Sequence, residues 1–387
     1  MDGDVIYLDY NASTPCDPRV VEAMLPHLTE TYANPSSRSH RPGRDAFTAL
    51  EDARAKVARR LGARSPTEIY FTSGATEANN LALRGVARAR ADRGRHLVTQ
   101  VTEHPSVLEP LRSLRQDGWE LTEVGVNENG RLRVDDLAAA LRDDTILVSL
   151  MHANNETGTL QPVRQAAALV HQRGALLHCD AAQSVGKVGV DVSDLGVDLL
   201  TLSGHKLYAP KGIGALYVRR TKPALNVHPL LLGGGHESGL RSGTPNLPGA
   251  AGLACAVEIA VDALEAEGHQ IAELRDRLEA SVVGNLENCT INGEPDHRLP
   301  GTTNLSFAGV EGNALLASLP DLAVSSGSAC TSSHSEASPV LLAMGVSPSL
   351  ARASLRLSVG RFTTSDDVDR AAQRIVEEVQ RLRSLRR

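Results

Sequence analysis

Leu202-Ser203-Gly204-His205-Lys206-Leu207-Tyr208-Ala209-Pro210-Lys211-Gly212 is the stretch from which the rest of the chain can be read. It follows an apolar run, Val197 to Leu202, that reads as a buried strand, and the run gives way at once to hydroxyl, imidazole and ammonium groups. Lysine occurs only as Lys56, Lys187, Lys206, Lys211 and Lys222, so arginine carries nearly all the positive charge. A deprotonatable amine able to condense with a carbonyl must come from these five, because arginine stays protonated. Lys206 is the best placed of them, and Ser203 and His205 beside it suit an anion such as a phosphate. A solvated lysine in a strand-end turn fits Ser-Gly-His-Lys equally well, so the decision falls to the rest of the chain.

On either side of this stretch, strand and helix patterns alternate. Strands are expected at Ile69 to Thr72, Leu97 to Val101, Glu120 to Val124, Ile146 to Met151, Ala175 to Cys179, Leu199 to Leu202 and Ala215 to Val218. Helical periods fill many of the gaps, as at Glu77 to Ala91, Val107 to Gln116 and Val163 to Gln172, and earlier at Arg19 to Leu28 and Ala46 to Leu61. Such alternation predicts an α/β fold with a mostly parallel sheet covered by helices on both faces. After Val261 the composition shifts to a long charged helical stretch, Ala263 to Leu286, and then to shorter strand-like and helical elements. The final helix has apolar residues at Val368, Ala371, Ala372, Ile375 and Val379, and Thr364 with Asp367 resembles a capping box. This second region reads as a smaller α+β domain.

At 387 residues the chain has room for two or three domains. A formal charge of -6 and a pI near 6.1 give no electrostatic reason to expect nucleic acid or an anionic membrane as a partner. The acidic start, Met1-Asp2-Gly3-Asp4, lacks the blocks of a secretory signal, and the expectation is a soluble, cytoplasmic protein. Cys16, Cys179, Cys255, Cys289 and Cys330 are widely spaced with no C-x-x-C pair, which argues against a disulfide framework and an intrinsic metal site. Cys330 stands apart in a glycine- and serine-rich run, a setting that suits an exposed, reactive thiolate. Cys179, inside an apolar strand, reads as a small core hydrophobe.

Open α/β sheets bind ligands at the carboxyl ends of their strands, so the residues just past each strand carry the chemistry. They are Ser73-Gly74-Ala75-Thr76-Glu77, Glu103-His104, His152-Ala153-Asn154-Asn155-Glu156, Asp180-Ala181-Ala182-Gln183 and Ser203-Gly204-His205-Lys206. Gly74-Ala75-Thr76 opens a helix, whose free N–H groups suit a phosphate, although an ordinary threonine cap has the same look. A dinucleotide fingerprint and a P-loop are both excluded by the glycine spacing. Asp180 ends a mostly apolar strand and needs a partner to stay ionised; the nitrogen of a protonated pyridine ring would serve, and so would a role as a helix cap. His104 is suited to stack on such a ring and move protons, although a surface histidine is the commoner fate.

Taken together and in order, these motifs resemble the NifS/IscS class of pyridoxal-phosphate-dependent cysteine desulfurases within the class V aminotransferases. To those above are added Arg241-Ser242-Gly243-Thr244 and Ser325-Ser326-Gly327-Ser328-Ala329-Cys330-Thr331-Ser332, and the likeness is collinear from Tyr7 to about Leu385. The resemblance implies the fold type I of PLP-dependent transferases, with a large domain over residues 16–262. Residues 1–15 and 263–387 would form the small domain carrying the Cys330 loop. It implies that Lys206 binds pyridoxal 5′-phosphate covalently, that Asp180 pairs with the pyridinium nitrogen, and that His104 stacks on the ring. Gln183 and Asn155 would sit near the ring hydroxyl and the substrate. Ala75, Thr76, Ser203 and His205 would hold the phosphate, joined by Thr244 from the second subunit of a homodimer. Arg356 would clamp the substrate carboxylate, although its strand, read alone, suggests a solvated face. L-cysteine would be converted to L-alanine, with sulfur carried as a persulfide on Cys330 to an acceptor protein such as an iron-sulfur scaffold or a sulfur carrier. Cys330 would also be a possible transient iron-sulfur ligand. The alternatives are a selenocysteine lyase or a desulfurase dedicated to tRNA or DNA sulfur modification. The C-terminal arginines, Arg374, Arg381, Arg383, Arg386 and Arg387, read as a solvated helix face, with a docking patch as the lesser alternative.

Overall fold

The structure is a computed structural model that describes residues 5–326 and 336–385. Seven strands form the central sheet in the spatial order Ile69–Thr72, Gly214–Val218, Leu199–Ser203, Leu176–Asp180, Thr145–Met151, His96–Gln100, Glu120–Val124. All pairings are parallel except those of Gly214–Val218, which runs against both neighbours. The expected strands are all present within a residue of their predicted limits. Periodicity carries no sign of direction, and the reversed strand follows from the short Lys206–Gly212 connection, which cannot make a crossover.

Successive side chains of a strand point to opposite faces, and here each face has its own core. Leu97, Leu147 and Leu199 pack under the helices Ala75–Ala89 and Pro105–Leu114, whereas Val98, Val148 and Leu200 pack with Val57, Val170 and Leu253 on the other side. Leu199 and Leu200 are both fully buried, each contributing about 2 kcal/mol of transfer free energy. A strand buried on both faces must be apolar throughout, which is why these segments read as continuous runs.

The second face is covered by Arg41–Arg60 and Pro18–Thr29, both packed on a helix, Leu247–Asp262, that the sequence did not announce. Its opening, Leu247-Pro248-Gly249-Ala250-Ala251-Gly252, is loop-like in composition. A Cβ at Gly252 would meet the Met24 sulfur at 2.7 Å, so this helix and Pro18–Thr29 pack closely there.

A three-stranded antiparallel sheet, Ser354–Ser358, Thr302–Phe307 and Cys289–Asn292 in that order, forms a further core with the helices Leu264–Asn285 and Ser365–Ser384. The Thr364 hydroxyl accepts from the Asp367 N–H while the Asp367 carboxylate accepts from the Thr364 N–H, so the capping box forms as expected. Ile6–Tyr7 pairs in parallel with Leu322–Ala323. Two of the C-terminal arginines are more engaged than a solvated face implies: Arg374 pairs with Asp321 and Glu378, and the Arg383 guanidinium donates to the carbonyls of Glu287, Asn288 and Ala308, while Arg386 and Arg387 lie outside the described residues.

Candidate active site

At the carboxyl end of the central sheet lies a cavity of about 950 Å³, and most of the residues singled out in the sequence line it: Ala75, Thr76, His104, Asn155, Asp180, Gln183, Ser203, His205, Lys206 and Arg356. Strand ends place them there. Lys206 closes a single 3-10 turn, Gly204–Lys206, directly after Leu199–Ser203. Asp180 is the last residue of the adjacent strand Leu176–Asp180.

The Asp180 carboxylate is buried and oriented from two sides. Its Oδ1 accepts from the Ala182 N–H at 2.9 Å, and its Oδ2 accepts from Asn79 Nδ2 at 2.8 Å. The same Asn79 nitrogen donates to Ser106 Oγ at 2.9 Å, and Ser106 Oγ lies 2.8 Å from His104 Nδ1. His104 also caps the helix Pro105–Leu114, with Nδ1 accepting from the Ser106 N–H at 3.1 Å. With Nδ1 serving as acceptor, the neutral ring carries its proton on Nε2. Burial and the Lys206 ammonium hold His104 below the usual histidine range, while Asp180 pulls the other way. The sequence reading missed Asn79 and Ser106. Their only signal is polarity on an otherwise apolar helix face.

The helix Ala75–Ala89 begins at Gly74, which has φ 153° and provides no side-chain cap, so the first turn meets the cavity with its N–H groups open. A Cβ on Gly74 would find open space, but one on Gly214 would meet the Gly74 Cα at 2.7 Å, so the reversed strand touches this turn backbone to backbone. Ser203 is buried beside it, and burial together with Lys206, Lys211 and Lys187 pushes His205 down to about 4, leaving it neutral. Thr244 is exposed and lies outside this cavity.

Arg356 corrects the solvated-face reading of its strand: Ser354, Arg356 and Ser358 are all buried. Its Nη2 donates to Asp9 Oδ1 at 2.6 Å and its Nη1 to the Asn155 carbonyl at 3.1 Å, while Nε is buried without a partner. Asp9 belongs to a loop that passes beneath the lysine turn. There Thr14 N–H donates to the His205 carbonyl at 2.8 Å, Thr14 Oγ1 accepts from the Tyr208 N–H, and Asp17 pairs with Arg361. Cys330 lies outside the described residues; Glu336, Ala337, Pro339 and Val340, a few positions on, line the cavity. Cys179 is fully buried, and burial pushes its thiol well up, as a core residue requires.

The family model described as aminotransferase class-V matches residues 6–371. The chain belongs to this family. Within it, the chain falls with the NifS/IscS-type cysteine desulfurases: it is 50% identical over 380 residues to the cysteine desulfurase IscS of Anaeromyxobacter sp. (strain Fw109-5), covering 98% of this chain and 94% of that one. Among solved structures, a NifS-like protein superposes with a TM-score of 0.91 at 37% identity, covering 98% of this chain and 100% of the other. SspA in complex with cysteine superposes at 0.81 with 36% identity, covering 92% and 99%. Family members use pyridoxal phosphate, and the cavity fits it. It offers a lysine, a buried carboxylate fixed at a neighbouring strand end, and an uncapped 15-residue helix beside the buried Ser203 hydroxyl and the half-buried His205 imidazole. Among the described residues, no single helix is long and apolar enough to cross a membrane.

Proposed function

We propose that the chain holds pyridoxal 5′-phosphate on Lys206, takes L-cysteine as substrate, and delivers its sulfur from a persulfide on Cys330. The observation that carries this is the meeting of Asp180, His104 and Lys206 at one cavity, close enough for both charged groups to act on the histidine. Asp180 would hold the ring nitrogen protonated, His104 would stack on the ring, and Asn155 and Gln183 would border it. The open first turn at Ala75 and Thr76, with Ser203 and His205, would take the phosphate. Thr244 of the partner subunit would complete that cradle in a homodimer. When bound, the cofactor supplies an electron sink for charge developing at the substrate α-carbon.

The chain's own residues do the rest. The Arg356 guanidinium binds the substrate carboxylate, its buried Nε still open for a partner. His104 Nε2 and Lys206 Nζ move protons at the substrate sulfur and α-carbon. The Cys330 thiolate attacks the substrate sulfur; an S–S bond forms as the C–S bond breaks, and the electron pair left on carbon takes up a proton on the way to alanine. Residues 16–262 would then be the cofactor-binding domain and residues 1–15 with 263–387 the smaller one. The acceptor would be an iron-sulfur scaffold or a sulfur carrier protein, in the cytoplasm; sulfur modification of tRNA or DNA and selenocysteine as substrate are the alternatives within the family. The test is the visible spectrum of the purified chain with L-cysteine added and alanine assayed. Parental protein is expected to absorb at the visible edge and form alanine, and Cys330→Ala to lose alanine formation. Alanine release at the parental rate by the variant would remove Cys330 from the mechanism.

A further inference from the structure

Beneath the cavity floor, Lys187 touches two carboxamides at once. Its Nζ lies 3.0 Å from Asn11 Oδ1 and 3.0 Å from Gln183 Oε1. Both amides have their NH2 groups engaged elsewhere and turn oxygen to Lys187, and an amine with two N–H groups donates to both in either charge state. Asn11 then has its NH2 pointing away, where it donates to Thr302 Oγ1 at 2.9 Å and to the Asn155 carbonyl at 3.3 Å. Gln183 has one Nε2 hydrogen on the Asn11 carbonyl at 2.9 Å and the other left over. Both Asn11 and Gln183 are buried and line the large cavity, whereas Lys187 does not; it borders a separate void of about 30 Å³.

We propose that Lys187 is a positioning residue, which fixes Gln183 so that the cavity receives an N–H donor and never the amide oxygen. The proposal rests on the reading of the cavity as a pyridoxal phosphate site, where that donor would face an ionisable ring oxygen. Among the described residues, no carboxylate pairs with Lys187. Lys206 and Arg356 act on it from the cavity side, and across the void are Tyr10, Tyr208 and Glu267, the last paired with Arg361. Burial and those two cations push Lys187 down to about 7, and the hydrogen bonds to Asn11 and Gln183 need only the N–H groups that both of its forms carry.

The experiment compares parent, Lys187→Met, Lys187→Gln, Gln183→Met and the double variant K187M/Q183M. Two readouts are needed: the dissociation constant of pyridoxal phosphate from the apo chain, by fluorescence quenching, and the apparent pKa of the visible absorbance of the loaded chain. Lys187→Met removes the donor at nearly constant volume; it is expected to weaken binding about tenfold and to shift the absorbance pKa by about one unit. Lys187→Gln keeps an N–H donor without charge and is expected to retain the parental values. In the Gln183→Met background, Lys187→Met should change neither readout further. A folded Lys187→Met with parental values, or an equal effect when Gln183 is absent, overturns the proposal. Should Lys187→Met fail to fold, a folded Lys187→Gln with a one-unit shift overturns it by the same logic. A parent that binds no pyridoxal phosphate would instead overturn the reading on which the proposal rests.

Discussion

Replacing Asn79 with alanine would test whether the Asp180 carboxylate is held by the chain before any ligand arrives. Asn79 Nδ2 makes two buried hydrogen bonds, at 2.8 Å to Asp180 and 2.9 Å to Ser106. The first has an ionised acceptor and contributes about 1.5 to 3 kcal/mol, the second about 0.5 to 1.5 kcal/mol. Asn79 is fully buried, and the alanine variant would leave Asp180 Oδ2 without its side-chain donor. Loss of about 2 to 4 kcal/mol of stability is expected in the apo chain, read as a lowered urea midpoint for the unit containing the central sheet. The pairwise term is isolated by repeating the substitution in an Asp180→Ala background. There the cost of Asn79→Ala should fall by about 1.5 to 3 kcal/mol, because the charged acceptor is gone. Additivity of the two substitutions to within about 0.5 kcal/mol would refute the reasoning, showing that the bond contributes nothing net.

Acid should destabilise the fold through two buried histidines. His152 and His178 are held down to about 4 by burial, against an ordinary value of 6.5. Between pH 6.5 and 4 the unfolded chain binds more protons, so stability falls as pH drops through that window and is unaffected by them above it. Each contributes up to roughly 3 kcal/mol, and a urea midpoint constant from pH 7 to 4.5 would contradict this. Gly214→Ala would drive a Cβ against the Gly74 Cα and the Leu202 carbonyl, both at 2.7 Å. The expected cost is about 1 to 3 kcal/mol together with weaker pyridoxal phosphate binding, and a parental melting temperature and affinity would remove the close-approach argument.

Strand ends were the legible part of this site. An apolar run that stops at Asp180 or at Ser203-Gly204-His205-Lys206 marks where polar groups meet a buried sheet, and it was the order of all these strand ends together that chose among the readings open to each. Asn79 was not legible, since it acts through Asp180 and Ser106, neighbours brought close only by folding: Asn79 and Asp180 are 101 positions apart. Arg356 shows the same limit from the other direction. Alternating Ser354, Arg356 and Ser358 look like a wetted face until the Asn11 loop covers them, with the Asn11 N–H donating to Ser358 Oγ at 2.9 Å. The helix Leu247–Asp262 was hidden by being apolar all round and rich in small residues, a composition that close packing requires and periodicity cannot resolve.

The loop from Asp9 to Asp17 ties two distant stretches of the polypeptide together around the lysine turn. Asp9 reaches Arg356 across 347 positions and Asp17 reaches Arg361 across 344. Each of these carboxylates precedes its arginine by at least 344 positions, and the pair cannot form until that arginine exists. The central sheet, whose strands lie between residues 69 and 218, has no such dependence. The sheet's strands can therefore pair before the cavity floor is complete, since the Asp9–Arg356 pair has to wait until Arg356 is made. Competence for chemistry is thus delayed until the last strand is released.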